Sequence, residues 1–409
     1  MKEFFKVTDL EHTLKYSAGF PNVGTEFIEL HKTLERILAV DIISDINLPD
    51  FARSTMDGYA VKASSTFGAT EENPAYLTVK GTIDMGKPAG FLIGHGEAAR
   101  ISTGGMLPDG SDSVIMVEYT EVVDKTTIEI YKSVAPAQHV LSIGEDIKKR
   151  DNVLLCGQRL RPQETGLLAA LGKDSVKVYK KPVIGIISTG DEIIPINNIP
   201  DKGRIRDINT YTLSSLVQKA GGIPVTYGII GDDFDSLLEK CSIASAHSDM
   251  VLISGGSSVG TRDLTVEVLS ALPGSDIMVH GISISPGKPT ILARVEDKAV
   301  WGLPGHVLSA MIVFEIVIRP FIEKISGLSP QYKKELKIPA LLSRNISSAQ
   351  GRIDYIRVRL IDKNGIKWAE PILGKSGLIS NLTKADGLIE IGINTEGLDK
   401  GSEVRAIPV

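Results

Sequence analysis

Cysteine is almost missing: Cys156 and Cys241 are the only two in 409 residues. Two thiols make neither a disulfide framework nor a cysteine-based zinc site, and such sparing use fits a reducing cytoplasm. Long apolar runs are missing as well. Nothing approaches the ~18 consecutive apolar residues of a membrane span, and the opening MKEFFKVTDLEHTLKY has early acids and no signal-peptide core. Positive charge is not in excess either. With 45 Lys and Arg against 50 Asp and Glu, the formal charge is −5, which speaks against a general nucleic-acid binder. A small anionic ligand stays compatible with this balance, since a few local cations suffice. Aromatics are scarce, at 5%. Short internal repeats and low-complexity linkers are absent.

What remains is the composition of a globular protein, 42% hydrophobic and 23% charged, with 40 Gly and 20 Pro implying many turns. The chain is too long for one ordinary core, so three or four domains are expected. Residues 1–45 carry helical spacing, in VTDLEHTLKYS with Thr8 or Asp9 as N-cap and in FIELHKTLERILAVDI. From 46 to 140, β-branched runs such as AYLTVKGTI, DSVIMVEYTEVV and TTIEIYKSV alternate with Gly, Pro and Asp turns. Helical pattern returns in PQETGLLAALG, with Pro162 at its start and Gly172 at its end. The simplest organisation is a helical and extended N-terminal domain (1–45 plus 141–180) interrupted by an inserted β-rich module (46–140).

Residues 181–327 alternate strand and helix: VIGIIS, NTYTLSSLVQKA, IPVTYGII, FDSLLEKCSIASA, DMVLIS, RDLTVEVLSAL. Such alternation predicts a three-layer α/β domain with a parallel-rich sheet, closed by a long apolar helix near 307–325. Residues 328–409 read as a barrel-like β domain. There IDYIRVRLI alternates, Asn364-Gly365 marks a hairpin, and GLIEI and SEVRAIPV supply further strands.

In an open α/β sheet, ligands bind beyond the carboxyl ends of the strands. Three loops start there: Ser188-Thr189-Gly190-Asp191-Glu192, Gly231-Asp232-Asp233, and Ser254-Gly255-Gly256-Ser257-Ser258 running on to Arg262-Asp263. The doubled acid Asp191-Glu192 exceeds what a turn requires. The glycine loop allows close backbone approach and offers N–H groups to a phosphate, yet it is neither a Walker loop nor the spaced dinucleotide fingerprint. Taken singly, Asp232, Asp233 or Asp263 suits a helix N-cap equally well. Taken together, Glu192, Asp232 and Asp263 on one sheet edge would repel unless a cation such as Mg²⁺ joined them. Arg204 and Arg206 in GRIRDIN, Arg262, and Lys288 in Pro286-Gly287-Lys288-Pro289 are the nearby cations. Leu303-Pro304-Gly305-His306 ends another strand, with His306 readable as a solvated cap. In the β-rich module, Met56-Asp57-Gly58-Tyr59 and Ile101-Ser102-Thr103-Gly104-Gly105 stay open between turn chemistry and function.

These stretches carry a resemblance. STMDGYAV, ISTGGMLPDGSDSVIMVE, GEDIKKRDNVLLCGQRLRPQETGLLAALG, STGDEI, RIRDINTYTL, SGGSSVGTRD, SPGKP and GLPGHVLSA run in the order typical of the molybdopterin molybdenumtransferases, the MoeA and gephyrin E-domain family. Each is weak alone; eight in order are specific. The resemblance implies an elongated, four-part subunit and a homodimer whose active cleft is shared between subunits. It implies roles in activity for Asp57, Thr103, Asp146, Glu192, Asp232 and Asp263, the last three also as Mg²⁺ ligands. It implies a pterin and phosphate site built from Thr189, Gly190, Asp191, Arg206, Asp207, Asn209, Ser254, Gly255, Gly256, Ser257, Ser258, Pro286, Gly287, Lys288, Pro304 and Gly305.

The implied reaction places molybdate, or tungstate, on adenylylated molybdopterin with release of AMP. Implied partners are a molybdopterin adenylyltransferase and the molybdoenzymes or tungstoenzymes that receive the cofactor, with no nucleic acid and no membrane. Two departures stand out. The family usually has Gly-Gly-Val-Ser where this chain has Gly-Gly-Ser257-Ser258, and Gly-Asn-Pro where it has Gly305-His306-Val307. They bear on the oxyanion preference more than on the fold. A pterin adenylyltransferase, a tungstate-handling paralogue and a non-catalytic scaffold are the competing readings.

Overall fold

The computed structural model describes residues 7–255, 261–333, 336–374 and 377–409. It divides into two compact units, one made of the residues up to Val40 with Cys156–Gly166 and Lys173–Val409, the other of Asp41–Leu155 with Leu167–Gly172.

The first unit is built on an α/β domain in which strand and helix alternate as far as β4 and two further strands follow: β1 Val183–Thr189, α1 Asn209–Lys219, β2 Ile223–Ile230, α2 Phe234–His247, β3 Met250–Gly255, α3 Thr261–Ala271, β4 Ser275–His280, β5 Ile291–Val295 and β6 Lys298–Leu303. The strand order is β2-β1-β3-β6-β5-β4. The β2-β1-β3-β6 part is parallel, and β5 and β4 are antiparallel additions at one side.

Period-two burial explains the three layers. Ile184, Ile186, Met250 and Leu252 join Leu213, Leu216 and Val217 of α1 in one core, while Ile187, Val251 and Ile253 join Leu237, Cys241 and Ala244 of α2 in the other. Successive strand residues point to opposite faces, so apolar runs such as VIGII feed both cores at once. A final helix, α4, runs as Val307–Val313, continues through a π-helical turn at Phe314–Ile318, and ends as Arg319–Ile325. Its Phe321 meets the buried Trp301 of β6 edge-on, with ring centroids 4.9 Å apart. Such pairs add about 1 kcal/mol beyond the area they bury.

The C-terminal strands β7 Ile338–Leu342, β8 Ile353–Lys363, β9 Ile366–Pro371, β10 Gly387–Ile391 and β11 Glu403–Pro408 pair in the ring β8-β9-β7-β11-β10-β8, a closed barrel. Asn364 and Gly365, at φ 55° and 78°, form the β8–β9 turn with the double positive φ that this dipeptide favours. The short strand Ile284–Ser285 pairs in parallel with Ile353–Asp354 at the start of β8.

The N-terminal segment corrects one expectation. The helix anticipated across FIELHKTLERILAVDI does not form; Thr25–Glu29 is a strand, followed by a 3₁₀ turn at Leu30–Lys32. That strand pairs antiparallel with Ser175–Tyr179, some 150 residues later. A partner so far along the chain overrides the local helical spacing.

The second unit carries a six-stranded sheet in which Gly58–Val61 lies between Ser113–Met116 and Glu97–Ile101. Its core includes Tyr59, Val61, Leu77, Ile115, Ile128 and Ile130. The ideal Cβ of Gly58 falls 1.9 Å from the Ile115 carbonyl oxygen, so only glycine lets Asp57 sit at that strand's entrance.

Candidate functional site

The carboxyl ends of the parallel strands converge, as the loop sequences require. At the end of β1, Thr189 donates its hydroxyl to Asp232 Oδ1 at 3.2 Å, across to the turn after β2. The Asp232 backbone N–H in turn donates to Asp191 Oδ1 at 3.1 Å. Asp232 is thus fixed from both sides by the first loop. Burial is the main cause holding its carboxyl above the usual range, and the charges of Asp191 and Glu192 push it further the same way, against the Thr189 and Asp191 hydrogen bonds. Three acids share one small region. Asp233 is different: it caps α2, accepting from the Ser236 N–H at 2.9 Å.

Backbone approach is close here. Gly255 ends β3 at φ 148°, and its ideal Cβ would lie 1.9 Å from the Thr189 carbonyl oxygen. Gly256, Ser257 and Ser258 lie outside the described residues, as do the side chains of Arg262 and Asp263. Beyond Asp191 and Glu192, the short strand Ile193–Ile194 pairs with Ile205–Arg206. Arg206 is exposed, and its Nε donates to the carbonyls of Ile196 at 3.0 Å and Asn198 at 3.1 Å.

Asp207 and Asn209 use their side chains on the protein. Asp207, 5% exposed, accepts from the Ser188 hydroxyl at 3.0 Å and from the Thr210 N–H and hydroxyl at 3.1 and 2.6 Å. Asn209 Nδ2 donates to Ser254 Oγ at 2.7 Å and to the Gly305 carbonyl at 2.8 Å. Pro286-Gly287-Lys288-Pro289 makes a tight turn in which Thr290 Oγ1 donates to the Gly287 carbonyl at 2.7 Å, and Lys288 extends to the surface. Pro304 is buried. His306 is the exposed N-cap of α4 without a side-chain capping bond, as its solvated-cap reading requires.

The second unit has its own pairing. The backbone N–H and hydroxyl of Thr103 both donate to Asp57 Oδ1, at 2.7 and 3.1 Å. The two motifs MDGYA and ISTGG are therefore one local device. Asp146 is exposed, its N–H bound to the Leu48 carbonyl at 3.1 Å.

Arg357 is a residue that the spacing argument missed. It is 5% exposed on β8, donates Nη2 to the Gly374 carbonyl at 3.0 Å, and leaves Nη1 buried without a hydrogen-bond partner among the described residues. Burial lowers its affinity for a proton. In an alternating strand it reads as solvent-facing; only the barrel's packing against the α/β core reveals otherwise.

Neither cysteine competes as a centre of chemistry. Burial pushes the Cys241 thiol up to about 12, and Cys156 Sγ lies 3.8 Å from the Tyr179 hydroxyl. Among the described residues no group of three His, Cys, Asp or Glu side chains is arranged to hold a metal ion. Asp191 and Glu192 act on Asp232 as like charges without forming such a group.

A doubly wound α/β domain with acids gathered at its strand ends, an inserted β module and a closed barrel define a multidomain α/β protein with one polar, acid-lined sheet edge. Residues 7–172 match the MoeA N-terminal region (domain I and II), 185–324 the "Probable molybdopterin binding domain", and 339–409 the MoeA C-terminal region (domain IV). The chain belongs to the MoeA family. A Methanocaldococcus jannaschii protein named for molybdopterin biosynthesis is 40% identical over 94% of this chain and 92% of its own length. The Haemophilus influenzae molybdopterin molybdenumtransferase is 37% identical over 81% and 80%. The crystal structure of the Pyrococcus horikoshii molybdopterin biosynthesis protein MoeA superposes with a TM-score of 0.85, at 32% identity, covering 99% of this chain and all of that one. No helix among the described residues is long and apolar enough to cross a membrane.

Proposed function

We propose that this protein is a molybdopterin molybdenumtransferase, which takes adenylylated molybdopterin and molybdate and releases AMP as the metal is placed on the dithiolene. The observation that carries the reading is Asp232, held by Thr189 and Asp191 beside Glu192 at the carboxyl edge of a parallel sheet. That edge is where an α/β fold receives a phosphorylated ligand.

The roles follow from side-chain chemistry. Thr189 fixes one Asp232 oxygen by its hydroxyl. Lys288, on its stiff turn, offers point charge to phosphate or oxyanion. The glycine-rich sequence that follows β3 is of the kind that gives its backbone N–H groups to phosphate. Mg²⁺ on Glu192, Asp232 and Asp263 belongs to this reading; once bound, it supplies the charge that neutralises pyrophosphate. The dithiolene brings the metal-binding sulfurs, which accounts for a chemistry without protein thiols. A homodimer with a shared active cleft, a cytoplasmic setting and activity roles for Asp57, Thr103 and Asp146 complete the proposal.

The test is AMP release from purified adenylylated molybdopterin on adding molybdate and Mg²⁺. Release dependent on both supports the reading. Tight pterin binding without release overturns it in favour of a scaffold, and ATP consumption with bare pterin overturns it in favour of an adenylyltransferase. A strong preference for tungstate in the same assay changes the anion and keeps the reaction type.

A further inference from the structure

Four consecutive residues, Asp207-Ile208-Asn209-Thr210, reach three separate strand ends. Asp207 receives the hydroxyl of Ser188, in the last turn of β1, and also holds Thr210 at the start of α1. Asn209 donates both of its amide hydrogens, one to Ser254 near the end of β3 and one to the Gly305 carbonyl just after β6. Asp207, Asn209, Ser188 and Ser254 are all buried, at 5%, 9%, 3% and 2% exposure. A primary amide has two donors in one plane, and here both are committed to backbone-proximal acceptors on different strands.

We propose that Asn209, supported by Asp207, is a positioning residue: a clip that fixes the ends of β1, β3 and β6 relative to one another. Both amide hydrogens of Asn209 and both carboxylate oxygens of Asp207 already have partners on the protein. Asn209 Oδ1 is itself buried and without a partner among the described residues. Substituting Asn209 therefore acts on the ligand through Thr189, Gly255 and Gly305. Such a clip changes the fraction of molecules whose site is competent. The apparent dissociation constant rises as the inverse of that fraction, while a ligand once bound restores the arrangement. The signature is a raised KM with kcat nearly kept.

This inference rests on the proposed function for its kinetic arm only. The experiment compares wild type with Asn209→Asp, which keeps the volume but sets a carboxylate against the Gly305 carbonyl, and with Ser254→Ala, which removes one acceptor. Amide hydrogen exchange is followed in peptides covering 250–255 and 303–308, alongside AMP release from adenylylated molybdopterin. The expected result is faster exchange in both peptides for Asn209→Asp, and in 250–255 alone for Ser254→Ala. With it, KM rises about tenfold and kcat changes less than about threefold. Unchanged exchange in both peptides for a folded Asn209→Asp overturns the clip, whatever the enzyme does. Faster exchange with kcat falling and KM unchanged also overturns it, since that marks direct participation in the chemistry. If wild type releases no AMP while the exchange pattern holds, the clip stands and the proposed reaction falls. Should Asn209→Asp fail to fold, Ser254→Ala alone decides, by whether 250–255 loosens.

Discussion

Gly255 and Thr189 face each other across the β1–β3 pair so closely that a Cβ on Gly255 would lie 1.9 Å from the Thr189 carbonyl oxygen. With φ at 148°, the position is strained for any L side chain as well. Gly255→Ala is expected to cost about 2–4 kcal/mol, since strain and backbone displacement add. A denaturant midpoint that matches wild type, at equal slope, would show that the two strands have more room than this.

Asp232 supplies a pH dependence. Its folded pKa lies above the ordinary 3.8, so the folded state binds more protons than the unfolded one once pH exceeds that value. Stability contributed at this residue is therefore present in acid and lost as pH rises through the raised pKa. In metal-free protein, Asp232→Asn should flatten that decline and leave the variant the more stable form at neutral pH. Parallel stability–pH curves for the two proteins would refute the assignment.

Asp57 accepts two hydrogen bonds from Thr103, both on the surface of the inserted module. Asp57→Ala should leave the unfolding midpoint close to wild type, because the pair is exposed, while AMP release falls by at least about tenfold, the scale of one lost charged contact. Full activity in the variant would reduce the pair to turn chemistry.

A stability prediction comes from α4. Glu315 is 8% exposed and meets Lys219 at 3.4 Å and Arg319 at 3.0 Å. Glu315→Ala leaves Arg319 half-compensated in a shielded setting and should cost about 3 kcal/mol, against about 0.5 kcal/mol for an exposed pair. Thermal unfolding of Glu315→Ala and Lys219→Ala separates the cases. Equal small shifts would mean that solvent screens the whole group.

Much of the α/β domain was legible because its signals are local. Runs such as VIGII and MVLIS, separated by capped amphipathic helices, leave one economical arrangement, and the same holds for the Asn364-Gly365 hairpin. Thr25–Glu29 was not legible: TEFIE alternates within a longer stretch of helical spacing, and the residues that decide for strand are Ser175–Tyr179. At the site, the expectation is that Glu192, Asp232 and Asp263 gather at one sheet edge; Asp232 lies within the electrostatic reach of Asp191 and Glu192, and the Asp263 side chain lies outside the described residues. The commitments of Asp207 and Asn209 could not be anticipated, since which side chain turns inward depends on contacts with Ser188, Ser254 and Gly305. Arg357 escaped for the opposite reason. Its strand alternates as if one face were wet, whereas Tyr355 of that face belongs to the core of the α/β domain.

The pairing of Ser285 with Asp354 means that the turn carrying Lys288 hangs from the first rung of the barrel. The barrel is thus no passenger. A chain cut before residue 338 would keep every residue of the parallel sheet and still lose the bracket beneath its lysine, so shortening this protein to its pterin-class domain should disarm it without unfolding that domain.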